Sequence, residues 1–133
     1  MNSKKYKIIP SILAVIILLI GISSYLFSNK NEERIKISKH SDLTLKYVSE
    51  NVKEIKKILE SIHYVEENLD LDNEDFKLWV EMKSSKQVIS SYAIWIKGDA
   101  SLVIFNKNTN KYGYINDNNA LSLKKILIQY TEK

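Results

Sequence analysis

Residues 76–97 read FKLWVEMKSSKQVISSYAIWIK, and this stretch decides the fold. Phe76, Leu78, Val80 and Met82 alternate with Lys77, Trp79, Glu81 and Lys83, the period-two pattern of a half-buried strand. Ser84-Ser85-Lys86 supplies a turn. A second strand follows over residues 87–97, with Val88, Tyr92, Ile94 and Ile96 assigned to one face and Ile89, Ala93 and Trp95 to the other. Gly98-Asp99 breaks it, residues 101–106 form a third strand, and the polar run 106–110 turns into a fourth over residues 111–115. Connections this short require antiparallel neighbours.

Outward from this meander, two amphipathic helices are expected. Val52, Ile55, Ile58, Leu59 and Ile62 recur at helical spacing, with Lys53, Glu54, Lys56, Lys57 and Glu60 between them. Asn51 and Glu54 have the spacing of a capping box. At the other end, residues 116–119 are four side chains able to cap, followed by Leu121, Leu123, Ile126, Leu127 and Tyr130. Arg34–Ser38 and Leu43-Thr44-Leu45-Lys46-Tyr47 alternate as short strands do. The fold class is therefore α+β: a four- to five-stranded antiparallel meander packed against two amphipathic helices, over residues 34–133. Residues 64–75 lose the apolar period, carry six acids and read as a solvated loop.

The N-terminus is of a different kind. Residues 8–27, IIPSILAVIILLIGISSYLF, contain no charge and follow Lys4, Lys5 and Lys7. A helix through them is about 30 Å long, the thickness of a bilayer's hydrocarbon core. A retained anchor and a cleaved secretory signal share this pattern; the length and the lack of an A-x-A site favour the anchor. The expected division is a cytoplasmic tail at 1–7, a transmembrane helix at 8–27, a linker at 28–33 and an extracytoplasmic domain. Upstream lysines place the N-terminus inside.

The chain has 133 residues and a net charge of +4. Three of the positive charges flank the apolar segment, leaving 17 basic against 16 acidic residues beyond it. The domain is thus near neutral, which argues against a nucleic-acid partner. The absence of cysteine excludes disulfides, thiolate zinc sites and a lipidated cysteine.

No catalytic motif stands out, and neither a cofactor nor enzymatic activity is expected. Asp70, Asp72 and Glu74, with Glu81 at the twelfth position, have calcium-loop spacing. However, Asp75 stands where the turn needs Gly, and Lys77 where an apolar residue belongs. Ser122 and Lys125 match S-x-x-K without its companion motifs. His40 and His63 have no zinc spacing. Three glycines in the whole chain leave no phosphate-binding loop. The candidate partner-binding face is the sheet surface opposite Phe76, Leu78 and Val80, carrying Trp79 and Trp95 with Tyr112 and Tyr114. Either a helix covers these aromatics or they meet an envelope protein.

The helix NVKEIKKILESI, the strand YAIWI at 92–96, Tyr112 and the closing LSLKKIL at 121–127 together resemble the YhfM-like domain of small extracytoplasmic proteins of Gram-positive bacteria, over residues 34–130. The resemblance implies a fold and a location, with an anchor helix in place of the lipid that many of its members carry. It implies no activity. Two functions follow: a membrane-anchored binding or accessory module, or a secreted globular protein with enzymatic or inhibitory activity.

Overall fold

The computed structural model describes the backbone of residues 5–30 and 32–132, and side chains at 11–24 and 32–132. In chain order the elements are α1 (Lys5–Lys30), β1 (Glu33–Lys39), β2 (Asp42–Val48), α2 (Val52–Glu60), β3 (His63–Val65), β4 (Phe76–Met82), β5 (Val88–Ile96), β6 (Ser101–Asn106), β7 (Lys111–Asn116) and α3 (Asp117–Thr131). All seven strands join one antiparallel sheet in the order β2-β1-β4-β5-β6-β7-β3.

The four-stranded meander β4 to β7 is present as its alternation requires. The sheet is wider than the expected four or five strands, because both its flanks come from the N-terminal half of the domain. β1 lies against β4, pairing Ile35 with Val80 and Ile37 with Leu78. β3, which falls at the start of the segment expected to be a loop, pairs its three residues with Tyr112–Tyr114 of β7. Three residues are too few to show a period, so backbone pairing rather than pattern defines this strand.

Both α2 and α3 pack on one face of the sheet. The core there joins Ile35, Ile37, Phe76, Leu78, Ile94, Leu102 and Ile104 to Ile55, Ile58 and Leu59 of α2 and to Leu123, Ile126 and Leu127 of α3. Burying one such side chain is worth about 1.5–3 kcal/mol, so this layer supplies most of the domain's cohesion. The capping box at Asn51 does not form. Asn51 adopts φ 60°, its side chain caps no helix amide, and its amide instead donates to Glu54 Oε2 at 3.0 Å. An Asn tolerates the left-handed region that this entry to the helix demands. At α3 the cap position is Asn116, whose side-chain oxygen accepts from the Ser101 hydroxyl at 3.2 Å rather than from the helix.

A β-bulge between Val80 and Glu81 reverses two side-chain assignments. Val80 pairs with Ser90 but Glu81 pairs with Val88, so Ile89 is the extra residue. Strict alternation places Val88 with Tyr92 and Ile94; the bulge moves it to the other face, in register with Glu81. β2 forms one open edge of the sheet. There Asp42 Oδ1 accepts from the Thr44 main-chain N–H at 3.0 Å, and Leu43, Leu45 and Tyr47 are exposed.

Helix α1 runs through Lys30 and so takes in the first residues of the expected linker. Its side chains are exposed at every position from 11 to 24. Among the described residues, no helix is long and apolar enough to cross a membrane. The first four residues of the expected cytoplasmic tail, and Asn31, lie outside the described residues.

Candidate functional site

The acidic segment 66–75 folds over the second face of the sheet and covers the β5–β7 half of it. Leu69 and Leu71 pack on Trp95, Val103, Phe105 and Tyr112. Trp95 Nε1 donates to the Asp72 carbonyl at 2.8 Å, and the Tyr112 hydroxyl donates to the Leu69 carbonyl at 3.4 Å. The ring of Tyr112 stacks at a tilt on Phe105, centroids 4.7 Å apart. Cover therefore comes from a loop, neither of the two alternatives considered for these aromatics. Of the four candidate residues, Trp95 is buried, Trp79 and Tyr112 are half-buried and Tyr114 is exposed. Truncating Leu71 to Ala is expected to shift Trp95 emission to the red and to cost about 2 kcal/mol. An unchanged spectrum in that variant would mean the loop does not seal the tryptophan.

The other half of this face is sealed by charge. Glu81 is buried, with Arg34 Nε bonded to its Oε1 and Lys36 Nζ 3.1 Å from its Oε2. Arg34 lies over the Tyr47 ring at 4.4 Å and Lys36 over the Trp79 ring at 5.4 Å. The result is a ladder running Tyr47–Arg34–Glu81–Lys36–Trp79 across β2, β1 and β4. Burial pushes the Glu81 carboxyl up, but its hydrogen bonds to Lys36 and Arg34, with their charges, outweigh this and hold it below the ordinary glutamate value. Alternation of Arg34 and Lys36 on one strand, and of Trp79 and Glu81 on the outward face of another, is the available sequence signal for this group.

The remaining sequence candidates fall into separate groups. Glu81 is committed to Arg34 and Lys36, Glu74 lies 3.3 Å from Lys77 and 4.0 Å from His40, and Asp75 Oδ2 accepts from the Ile96 N–H. Among the described residues, no group of three or more His, Cys, Asp or Glu is placed to hold a metal ion. Ser122 is half-buried and Lys125 exposed on α3, while His63 sits exposed on β3. His40, Glu74 and Asp75 line one cleft at the β4 end of the sheet, and Ser122, Lys125 and His63 are not among its lining residues.

A site the sequence did not suggest is a cleft of about 500 Å³ between α2 and the sheet. Its apolar lining comes from Leu59, Ile62, Val80 and Ile89, the last turned this way by the bulge. Tyr64, Tyr92 and Asn106 add polar groups, and the ion pair of Glu33 with Lys56 stands at its edge. Burial, then the neighbouring Tyr92, push the Tyr64 phenol up to about 12, against a hydrogen bond to Asn106 that draws it down. The cleft thus holds a neutral phenol at any physiological pH. With Glu60 and Ser90 also in its lining, the cleft presents apolar and polar surface in similar measure. Such a cleft has the room and the hydrogen-bonding groups to bind and orient a small molecule.

The class defined so far is an α+β domain with a seven-stranded antiparallel sheet, two helices on one face and a loop on the other. The chain is similar in structure to a crystal structure described as "Putative Lipoprotein from Clostridium perfringens", with TM-score 0.50 over 83% of this chain and 93% of that one, at 15% identity. At that identity the likeness is one of fold. No protein-family model matches the chain, the YhfM-like domain included, and no curated protein matches it.

Proposed function

We propose that this is a single-pass membrane protein whose α+β domain serves as a binding or accessory module outside the cell, at the envelope. The observation that carries this is α1: from Ile12 to Ile22 its Ile, Leu and Val side chains are exposed, several by more than half, and no charge interrupts residues 8–27. A continuous apolar helix surface of this extent needs a covering medium, and a bilayer suits a segment about 30 Å long. Lysines at positions 4, 5 and 7 support a cytoplasmic N-terminus. The fold shared with a protein described as a lipoprotein, and the order of elements behind the YhfM-like resemblance, support the envelope location.

Binding is favoured over catalysis because Glu81, Glu74 and Asp75 are each engaged by a partner within the fold, whereas the cleft and the half-buried Trp79 and exposed Tyr114 offer surfaces for a ligand and for an envelope protein. Fractionation tests the anchor. The intact chain is expected to remain in the membrane pellet after alkaline carbonate extraction. Leu18→Arg with Leu19→Arg is expected to release it, since each charge at a helix centre opposes insertion by about 2.5–3.5 kcal/mol. A wild-type chain recovered from the medium with its N-terminus near Ser24 would instead establish the secreted form.

A further inference from the structure

We infer that the tip of the β4–β5 hairpin, residues 83–89, is a second membrane contact, made on an anionic lipid surface beside the anchor. This rests on the anchored reading of α1. β1 begins at Glu33, three residues after the last residue of α1, and runs away from it; β4 is antiparallel to β1 and ends beside that start, pairing Met82 with Glu33. The Lys83 N–H donates to the Glu32 carbonyl at 2.8 Å, which fixes the hairpin to the point where the chain leaves the helix.

Residues 28–32 between the apolar segment and this bond, partly helical, span about 11 Å at most. That is comparable with the headgroup layer plus a Debye length. The turn beyond Lys83 extends past the end of the sheet at which β1 begins. Its tip closes with Lys86 N–H on the Met82 carbonyl and Met82 N–H on the Gln87 carbonyl.

Its composition fits that surface. Lys83 and Lys86 are exposed; Lys83 pairs with Glu32 at 3.3 Å, and Lys86 has no ion pair among the described residues. Val88 and Ile89 are 45% and 40% exposed, and because the bulge sends them to opposite faces, they flank the base of the hairpin like two apolar feet. Cations beside exposed aliphatic side chains match an anionic headgroup layer over acyl chains. The opposite end of the sheet, where Gly98-Asp99 joins β5 to β6, lies a full strand length away.

The chain lacks cysteine, so one engineered thiol reports one position. Full-length Val88→Cys and Asp99→Cys proteins, each labelled with an environment-sensitive fluorophore, are reconstituted in phosphatidylcholine vesicles with and without phosphatidylglycerol. The expected result is a blue-shifted emission at position 88, quenched by nitroxide lipids and stronger with phosphatidylglycerol, against an aqueous spectrum at position 99. Adding Lys86→Glu to the position 88 protein should remove the phosphatidylglycerol dependence. If the chain floats with the vesicles and both labels report water, the hairpin contact is wrong and the anchor stands. If the chain does not float with them, the anchor reading fails and the contact falls with it.

Discussion

Replacing Arg34 and Lys36 together by alanine is expected to lower the domain's unfolding free energy by about 4 kcal/mol at pH 7, measured by urea denaturation. Breaking a buried ion pair by removing one sign leaves the other charge buried without compensation, at a typical cost of about 3–5 kcal/mol. Glu81, almost wholly out of solvent, would keep its desolvation and lose both cations. Extending the change with Glu81→Leu removes the stranded charge, and stability is expected to return to within about 1 kcal/mol of the parent, since an apolar group in such a position is often no worse than the pair.

The pH dependence gives this prediction a sign as well as a size. In the parent protein the folded-state Glu81 value is depressed below 4.5. Its contribution is therefore complete above that value and lost as pH falls through the folded value. In the double variant burial acts alone and raises the carboxyl's folded value above the unfolded one. Acidification through that interval then protonates the folded state first and restores stability. A double variant that loses stability on acidification as the parent does would show that the two cations do not govern Glu81.

Valine at Gly113 is expected to detach β3 and to cost about 2 kcal/mol. Gly113 pairs with Ile104 on one side and Tyr64 on the other. A Cβ built there would overlap Ile62 Cγ2 and lie 3.2 Å from Tyr64 Cδ1 and 3.4 Å from the His63 carbonyl oxygen. Ile62 cannot swing its Cγ2 aside easily, because that atom is carried on a branched Cβ with a restricted χ1.

Valine has the better strand propensity, an advantage of at most about 1 kcal/mol. Overpacking of about 1–3 kcal/mol opposes it, and the lost edge pairing adds to that. Amide exchange at residues 63–65 should accelerate selectively, and Ile62→Ala should rescue a Gly113→Ala protein. Undiminished stability in the valine variant, with β3 still protected, would refute the steric account. Ile62 and Tyr64 also line the cleft, so this glycine sets the cleft's wall as well as the strand's seat.

The meander was readable because each of its strands is long enough to show alternation and is joined to the next by obvious turn residues. The helices were readable from Ile55, Ile58 and Leu59 and from Leu123, Ile126 and Leu127. Their caps were not, since backbone conformation at Asn51 and a competing hydroxyl at Ser101 decide which bonds form. The position of β1 beside β4 joins residues 37 (Lys39 and Phe76) to 49 (Glu33 and Met82) apart in the chain, for which a single sequence holds no local signal.

Alternation puts the four aromatics on one face, as the strand register does, but it holds no signal for what covers them. Leu69 and Leu71 are two apolar residues among acids, and what makes them a cover is the backbone carbonyls of Leu69 and Asp72 meeting Tyr112 and Trp95. The cleft was invisible for a similar reason: Tyr64, Tyr92 and Asn106 lie on three strands, and a one-residue bulge redirects Ile89 toward them.

One small contact at the sheet's open edge bears on how these molecules behave in a crowd. β2 presents Leu43 and Leu45 to solvent on a strand paired on one side only, the kind of edge along which identical chains can add to one another. Asp42 occupies a main-chain donor of that strand and places a charge beside it, and the Thr44 hydrogen bonds, side-chain and backbone, keep its carboxyl below the ordinary aspartate value. A charged carboxylate that also occupies a main-chain donor is the kind of feature that opposes edge-to-edge addition of identical chains.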